Sequence, residues 1–185
     1  MSREHAVLLA RHGQTDDNVE PLRFQGWRDT PLNETGRAQA AALAERLVPE
    51  GIVSLWSSDL VRASETARIV GERIGLEPRL DWRLREAGRG VWEGRLFEDV
   101  AREEPEAYAA WLRAGDDWRF PGGESLREQQ ARVSECIDEI RAIGELPALA
   151  VGHGGSIRVM LSLADPRGLD AFHEFEVPNV AVVRL

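Results

Sequence analysis

Two short apolar runs, Ala6-Val7-Leu8-Leu9-Ala10 and Leu146 to Val151, each break off into a glycine- and histidine-bearing turn. A run of that length without polar alternation reads as a strand buried on both faces, which a sheet covered by helices on both sides provides. Ile52-Val53-Ser54-Leu55-Trp56 is a third run of the same kind, ending in Ser57-Ser58. Amphipathic stretches alternate with these strands. Asn33 is placed to cap a helix over 34–48 whose Ala40, Leu43, Ala44 and Leu47 share one face. Asp59 stands where it would cap a helix running to Ile74. A short strand at Leu80 and Trp82, broken helix over 93–120, a helix over 123–143, a helix after Gly155 and one or two β segments around Pro178 complete the pattern. Strand and helix at this spacing predict a three-layer α/β/α sandwich with a mostly parallel central sheet. Neither a repeat nor a linker interrupts it, so a single domain over 1–185 is expected.

Composition removes several classes of chemistry. The 185 residues carry 23 Lys+Arg against 32 Asp+Glu, a net charge of −9, and every basic side chain in that count is arginine. Without lysine, P-loop and Schiff-base mechanisms have no carrier. The acidic balance argues against nucleic acid and anionic membranes as partners. Cys136 is the single cysteine, which excludes an intrachain disulfide; Val133, Ile137 and Ile140 around it point to a core thiol. The first apolar stretch is too short for a signal peptide and no run reaches transmembrane length, so a cytoplasmic protein is expected.

The chemistry collects at three strand-to-helix junctions. In open parallel sheets ligands bind at the carboxyl ends of the strands, where such junctions converge. The first junction carries Arg11-His12-Gly13 and Asn18, the second Arg62, the third Gly152-His153-Gly154-Gly155. Guanidinium forks match phosphate oxygens, and a helix N-terminus adds partial positive charge. Arg62 in the first turn of a helix works against that dipole, a placement that an anionic ligand would reward. Each residue also has a structural reading: a histidine packed at a strand end, a salt-bridged arginine, a Glu86 paired with a neighbouring arginine. The two histidines lack His-x-x-x-His or His-x-His spacing, so a metal site is not expected.

Taken together, the motifs resemble the histidine phosphatase (phosphoglycerate mutase-like) superfamily. Leu9-Ala10-Arg11-His12-Gly13-Gln14-Thr15 with Asn18 is similar to its signature, and Arg23 through Leu32 to its substrate loop. Trp56 to Ala63, Leu84-Arg85-Glu86, Gly90 to Gly94, Pro121 to Ser125 and Val151 to Arg158 follow in the family's order. The resemblance spans nearly the whole chain and implies a phosphoglycerate mutase-like fold. It implies that His12 is the nucleophile that becomes a phosphohistidine, that Arg11, Arg62 and His153 surround the phosphoryl oxygens, and that Glu86 is the proton donor. Asn18, Gln25, Gly26 and Gly154 are then expected to contact phosphate or substrate, with neither metal nor organic cofactor. A small-molecule phosphomonoester is the expected partner, and homodimers are common among relatives.

Within the family, hydrolysis is the expected branch. About 34 residues separate Glu86 from Pro121, shorter than the segment expected of cofactor-dependent mutases, and Trp92-Glu93-Gly94 looks like the phosphatase pattern. A cofactor-dependent phosphoglycerate mutase is the alternative, and a non-catalytic phosphate-binding module a third class. Ala87-Gly88-Arg89-Gly90 departs from the aromatic-Gly usual after the acid, which leaves the shape of that wall open. Residues 89–120 carry Trp92, Phe97, Tyr108, Trp111, Trp118 and Phe120, and also Arg89, Arg95, Arg113 and Arg119. If two of these arginines face the pocket, the substrate carries a second anionic group; if the aromatics do, it is a larger organic phosphate.

Overall fold

A computed structural model describes residues 6–185. Among the described residues there are five strands: β1 (Val7–Arg11), β2 (Ser54–Ser57), β3 (Arg79–Leu80), β4 (Ala148–Gly152) and β5 (Val182–Arg184). They form one sheet in the order β3-β2-β4-β1-β5, parallel except for the antiparallel β5 edge. Successive side chains of β1 enter two different cores, because a strand turns alternate residues to opposite faces. Val7 and Leu9 pack with α5 (Leu126–Ile143) and α6 (Gly154–Ser162), while Leu8 and Ala10 pack with α1 (Glu34–Leu47) and α2 (Val61–Ile74). The central strands are apolar throughout for this reason, and the three-layer sandwich is as expected.

Local signals placed α1 correctly. Asn33 Oδ1 accepts the Gly36 N–H at 2.9 Å, and Ala40, Leu43, Ala44 and Leu47 are buried. The cap of α2 is different. Leu60 occupies the N-cap position and Val61 N donates instead to Asp29 Oδ1 at 2.7 Å, from a loop far away in sequence. Asp59 is taken by Arg85, which grips both of its oxygens at 2.7 Å. A bidentate guanidinium pair outcompetes a single amide for the carboxylate.

Two other expectations are corrected. The strand at Leu80 ends there, and Trp82–Leu84 forms a 3₁₀ turn capped by Asp81. The helix expected over 123–143 begins at Leu126, where Ser125 and Glu128 form a capping box. The helix over 93–120 is broken, as its punctuation predicts, into α3 (Phe97–Glu103) and α4 (Pro105–Trp111). The aromatics of 89–120 build a core: Trp92 and Trp111 are buried against Phe24, Trp111 also against Phe172, and the buried Phe120 packs on both tryptophans. The tail holds one strand, β5.

Candidate active site

The register of β1 on β4 decides where the functional side chains meet. Arg11 lies opposite Gly152, so His12 and His153 leave adjacent strand ends side by side. Their ring centroids are 5.1 Å apart at 61°. Ser57 lies opposite Val151 on the other flank of β4, which brings Ser58 to His153; Nε2 and the Ser58 Oγ are 2.9 Å apart. The loop after β1 is pressed against the start of α1. A Cβ on Gly13 would fall 2.3 Å from the Gly36 carbonyl oxygen, and one on Gly36 would fall 2.0 Å from that of Gln14. Glycine at both positions is a packing requirement.

His12 is buried, and its Nδ1 lies 2.6 Å from the Gly13 carbonyl oxygen. A carbonyl only accepts, so the proton of a neutral ring sits on Nδ1 and the lone pair on Nε2. Burial, reinforced by the Arg62 and Arg11 guanidinium groups, holds the imidazole well below its ordinary pKa. His153 is held neutral in the same way, first by burial and then by Arg62, and its Nδ1 is buried without a protein partner.

Glu86 sits on the other wall. Its Oε1 accepts from Ala87 N at 2.9 Å and Gln129 Nε2 at 3.0 Å, and its Oε2 accepts from Gly155 N at 3.0 Å. Burial alone would raise this carboxyl, but Arg89 and these three donors outweigh it and bring the pKa down to about 2. The main-chain carbonyl of Glu86 is fixed as well, accepting from Trp27 Nε1 at 2.8 Å and from Arg132 at 2.9 Å.

These residues border a cavity of ≈ 390 Å³ that opens at the carboxyl ends of β1 and β4. Arg11, His12, Asn18, Gln25, Gly26, Glu86 and Gly154 of the expected set line it. Arg62 and His153 stand behind that lining, fully buried. Arg62 donates to the carbonyls of Arg28 and Gly26, each at 2.8 Å, so it clamps the 25–28 loop while its charge acts on both histidines. Asn18 accepts the Thr15 N–H at 2.7 Å and keeps its Nδ2 unpartnered; Gln25 donates to Thr15 Oγ1. Of the four arginines expected in the outer wall, only Arg89 reaches the cavity. Arg95 is held by Glu103 and Glu104 and Arg119 by Glu128, while Arg113 borders a different depression.

The family model for the histidine phosphatase superfamily (branch 1) matches residues 7–185. The chain belongs to that superfamily. A glucosyl-3-phosphoglycerate phosphatase of Mycobacterium tuberculosis is 40% identical over 167 residues, covering 85% of this chain and 74% of the relative. A protein described as a probable phosphoglycerate mutase GpmB from Enterobacter sp. (strain 638) is 37% identical over 183 residues, 97% of this chain and 83% of that one. The structure of a mycobacterial glucosyl-3-phosphoglycerate phosphatase in complex with VO3 superposes with a TM-score of 0.87 at 35% identity, covering 97% of this chain and 90% of that chain. This histidine phosphatase is a phosphohydrolase, with the mutase reaction the less favoured alternative.

Several participants escaped the sequence reading. Gly155 leaves room for the Glu86 carboxylate, since a Cβ there would fall 1.9 Å from Oε1. Asn179 donates to the His12 carbonyl at 3.1 Å, and Arg158 lines the cavity. Gln129 and Arg132 lie on the buried face of α5 among Leu126, Val133, Ile137 and Ile140. Two polar residues interrupting an apolar stripe were a legible sign that α5 faces something polar. No helix of the described residues is long and apolar enough to cross a membrane.

Proposed function

We propose that this histidine phosphatase hydrolyses a small organic phosphomonoester through a phosphohistidine on His12, without a metal or organic cofactor. The observation that carries the reading is the state of His12: Nδ1–H is spent on the Gly13 carbonyl, the ring is neutral, and Nε2 keeps its lone pair. A neutral imidazole nitrogen is a competent nucleophile, and phosphoryl transfer asks the protein mainly for in-line positioning and charge stabilisation.

In the first transfer Nε2 attacks phosphorus and the ester P–O bond breaks. The leaving oxygen takes a proton from Glu86. In the second, a water gives its proton to the Glu86 carboxylate and its oxygen displaces the histidine, releasing inorganic phosphate. Arg11, with Arg62 and His153 behind it, stabilises the charge on the transferring group. Asn18, Gln25, Gly26 and Gly154 orient the ester. Because Glu86 is ionised among its protein partners, the proton it donates enters with the substrate, carried by a phosphate monoanion and passed to the carboxylate on binding.

The relative described as a probable mutase keeps a second reading open, in which a substrate hydroxyl replaces water as acceptor. One assay separates them: phosphate release in EDTA from a panel including glucosyl-3-phosphoglycerate and 3-phosphoglycerate, the latter with and without 2,3-bisphosphoglycerate, scored also for 2-phosphoglycerate. Release without isomerisation is expected. His12→Ala is expected to lower turnover by roughly 10³-fold or more and to abolish the acid-labile phosphoenzyme seen on rapid quench. Full activity in that variant overturns the mechanism. A cytoplasmic setting and a homodimeric state complete the reading; the dimer is tested by sedimentation.

A further inference from the structure

Arg89 stands where the chain departs from its family's aromatic-Gly pattern, and the structure places that departure in the cavity wall. Its guanidinium lies over the ring of Phe120 at 4.2 Å and of Trp111 at 4.9 Å, and the residue is only 9% exposed. One terminal nitrogen, Nη1, has no partner; the other, Nη2, is 3.6 Å from Glu86 Oε1, beyond a good hydrogen bond. Arg158, from the first turns of α6, borders the same cavity, held by the Phe175 carbonyl at 2.9 Å and lying over the Phe172 ring at 5.6 Å. Both guanidinium groups are therefore fixed by aromatic stacking or backbone while keeping nitrogens free. Holding a cation in such a place is costly unless an anion completes it.

The charge count points the same way. Arg11, Arg62, Arg89 and Arg158 bring four positive charges around one buried carboxylate, Glu86. Asp17 also lines the cavity but is occupied by Arg28 and Thr30. A phosphate monoanion, the form that brings the proton to Glu86, cancels one of the three charges in excess and leaves two.

We propose that Arg89 and Arg158 form a subsite for a second anionic group on the substrate, and that filling it draws Arg89 off Glu86 and frees that carboxyl to carry the proton. The proposal rests on the phosphomonoesterase reading above and names its substrate class: phosphomonoesters whose leaving portion bears a carboxylate or a second phosphoryl group. Arg89 is a specificity-determining residue that also sets the state of Glu86. The other charges facing Glu86 are Arg11 from β1, Arg62 from α2, Arg158 from α6 and the Arg132 that holds its carbonyl. Of these five arginines, Arg89 has the largest lowering effect on Glu86.

The test compares three esters of similar size on the wild-type protein: ethyl phosphate, phosphoglycolate and ethylene glycol bisphosphate. The kcat/KM for one or both doubly anionic esters is expected to exceed that for ethyl phosphate by about 30-fold, the worth of a charged hydrogen bond. Which of the two gains more identifies the second group. Arg89→Met, which keeps a stem between Trp111 and Phe120, is expected to collapse that ratio toward one. The alkaline limb of kcat is expected to lie higher for the preferred ester than for ethyl phosphate in the wild type, and the difference to vanish in Arg89→Met. Equal kcat/KM for all three esters in the wild type overturns the subsite and leaves the phosphatase reading intact. Failure of every ester to release phosphate, or to bind the His12→Ala protein by calorimetry, overturns the reading on which the subsite rests. A ratio that survives in Arg89→Met and falls only in Arg158→Gln removes Arg89 from the proposal.

Discussion

Glu86 is the residue whose state decides the chemistry. With Arg89, Gly155, Ala87 and Gln129 around it, the carboxyl rests at about 2 and is ionised at any ordinary pH. The reactive complex therefore needs one proton from the substrate, whose second phosphate pKa is about 6. Above that value kcat/KM for an alkyl phosphate is expected to fall tenfold per pH unit, because the monoanion becomes scarce. A profile flat through pH 8 contradicts the proton's origin. His12 adds no acid limb near 6.5, since its pKa lies well below that and the ring stays neutral as pH drops. Glu86→Gln removes the proton donor and is expected to slow ethyl phosphate by about 10²–10⁴-fold. Hydrolysis of p-nitrophenyl phosphate, whose leaving group needs little protonation, is expected to lose far less; equal losses on the two esters argue that another group is the acid. His12, Arg11 and Glu86 were legible from their motifs. That Gly155, Gln129 and Arg158 serve Glu86 was not, because a helix N–H, an amide and a guanidinium become its partners only when α5 and α6 dock.

At the scale of elements, the site depends on how closely α1 and the loop after β1 approach. Gly13 and Gly36 each leave space that the other's neighbourhood fills with a backbone carbonyl. Gly36→Ala would force backbone against backbone, which no rotamer can relieve. The expected loss is about 1–3 kcal/mol, a fall in Tm of roughly 3–10 °C, measured by calorimetry. An unchanged Tm would mean that the two segments separate at little cost. The caps show how far local rules reach. Asn33 and Ser125 act on helices that begin one residue later, so propensity and geometry agree. Asp59 carried the same signal but met Arg85, 26 residues away, and Asp29 took over the end of α2. The aromatics of 89–120 were equally ambiguous on paper. Burial against Phe24 and Phe172 made them core, and left Arg89 as the polar group they hold in the wall.

Across the molecule as a whole, the site is a positive depression in a chain of net charge −9. His12 and His153 are both buried neutral with pKa values well below 6.5. Below pH 6.5 the unfolded chain binds protons that the native rings refuse, so unfolding free energy rises with pH and is lost as pH falls. Glu86 adds to the loss in the window from 4.5 down to about 2, where the unfolded carboxyl is protonated and the native one is not. The Tm is therefore expected to drop between pH 7 and pH 5, with a shallower slope in His12→Gln; a Tm independent of pH over that interval contradicts the buried neutral histidines. The layered architecture follows from the chain's pattern alone, since uninterrupted apolar strands have no stable place except between two helical layers. The order in which the motifs of His12, Arg62, Glu86 and His153 follow one another is also written in the chain, while the pairing of β1, β2 and β4 brings them together. Which arginines serve the cavity and which side chains hold Glu86 was settled by packing. Guanidinium groups are long, and a partner is chosen by what lies within about 3 Å after packing, not by distance along the chain.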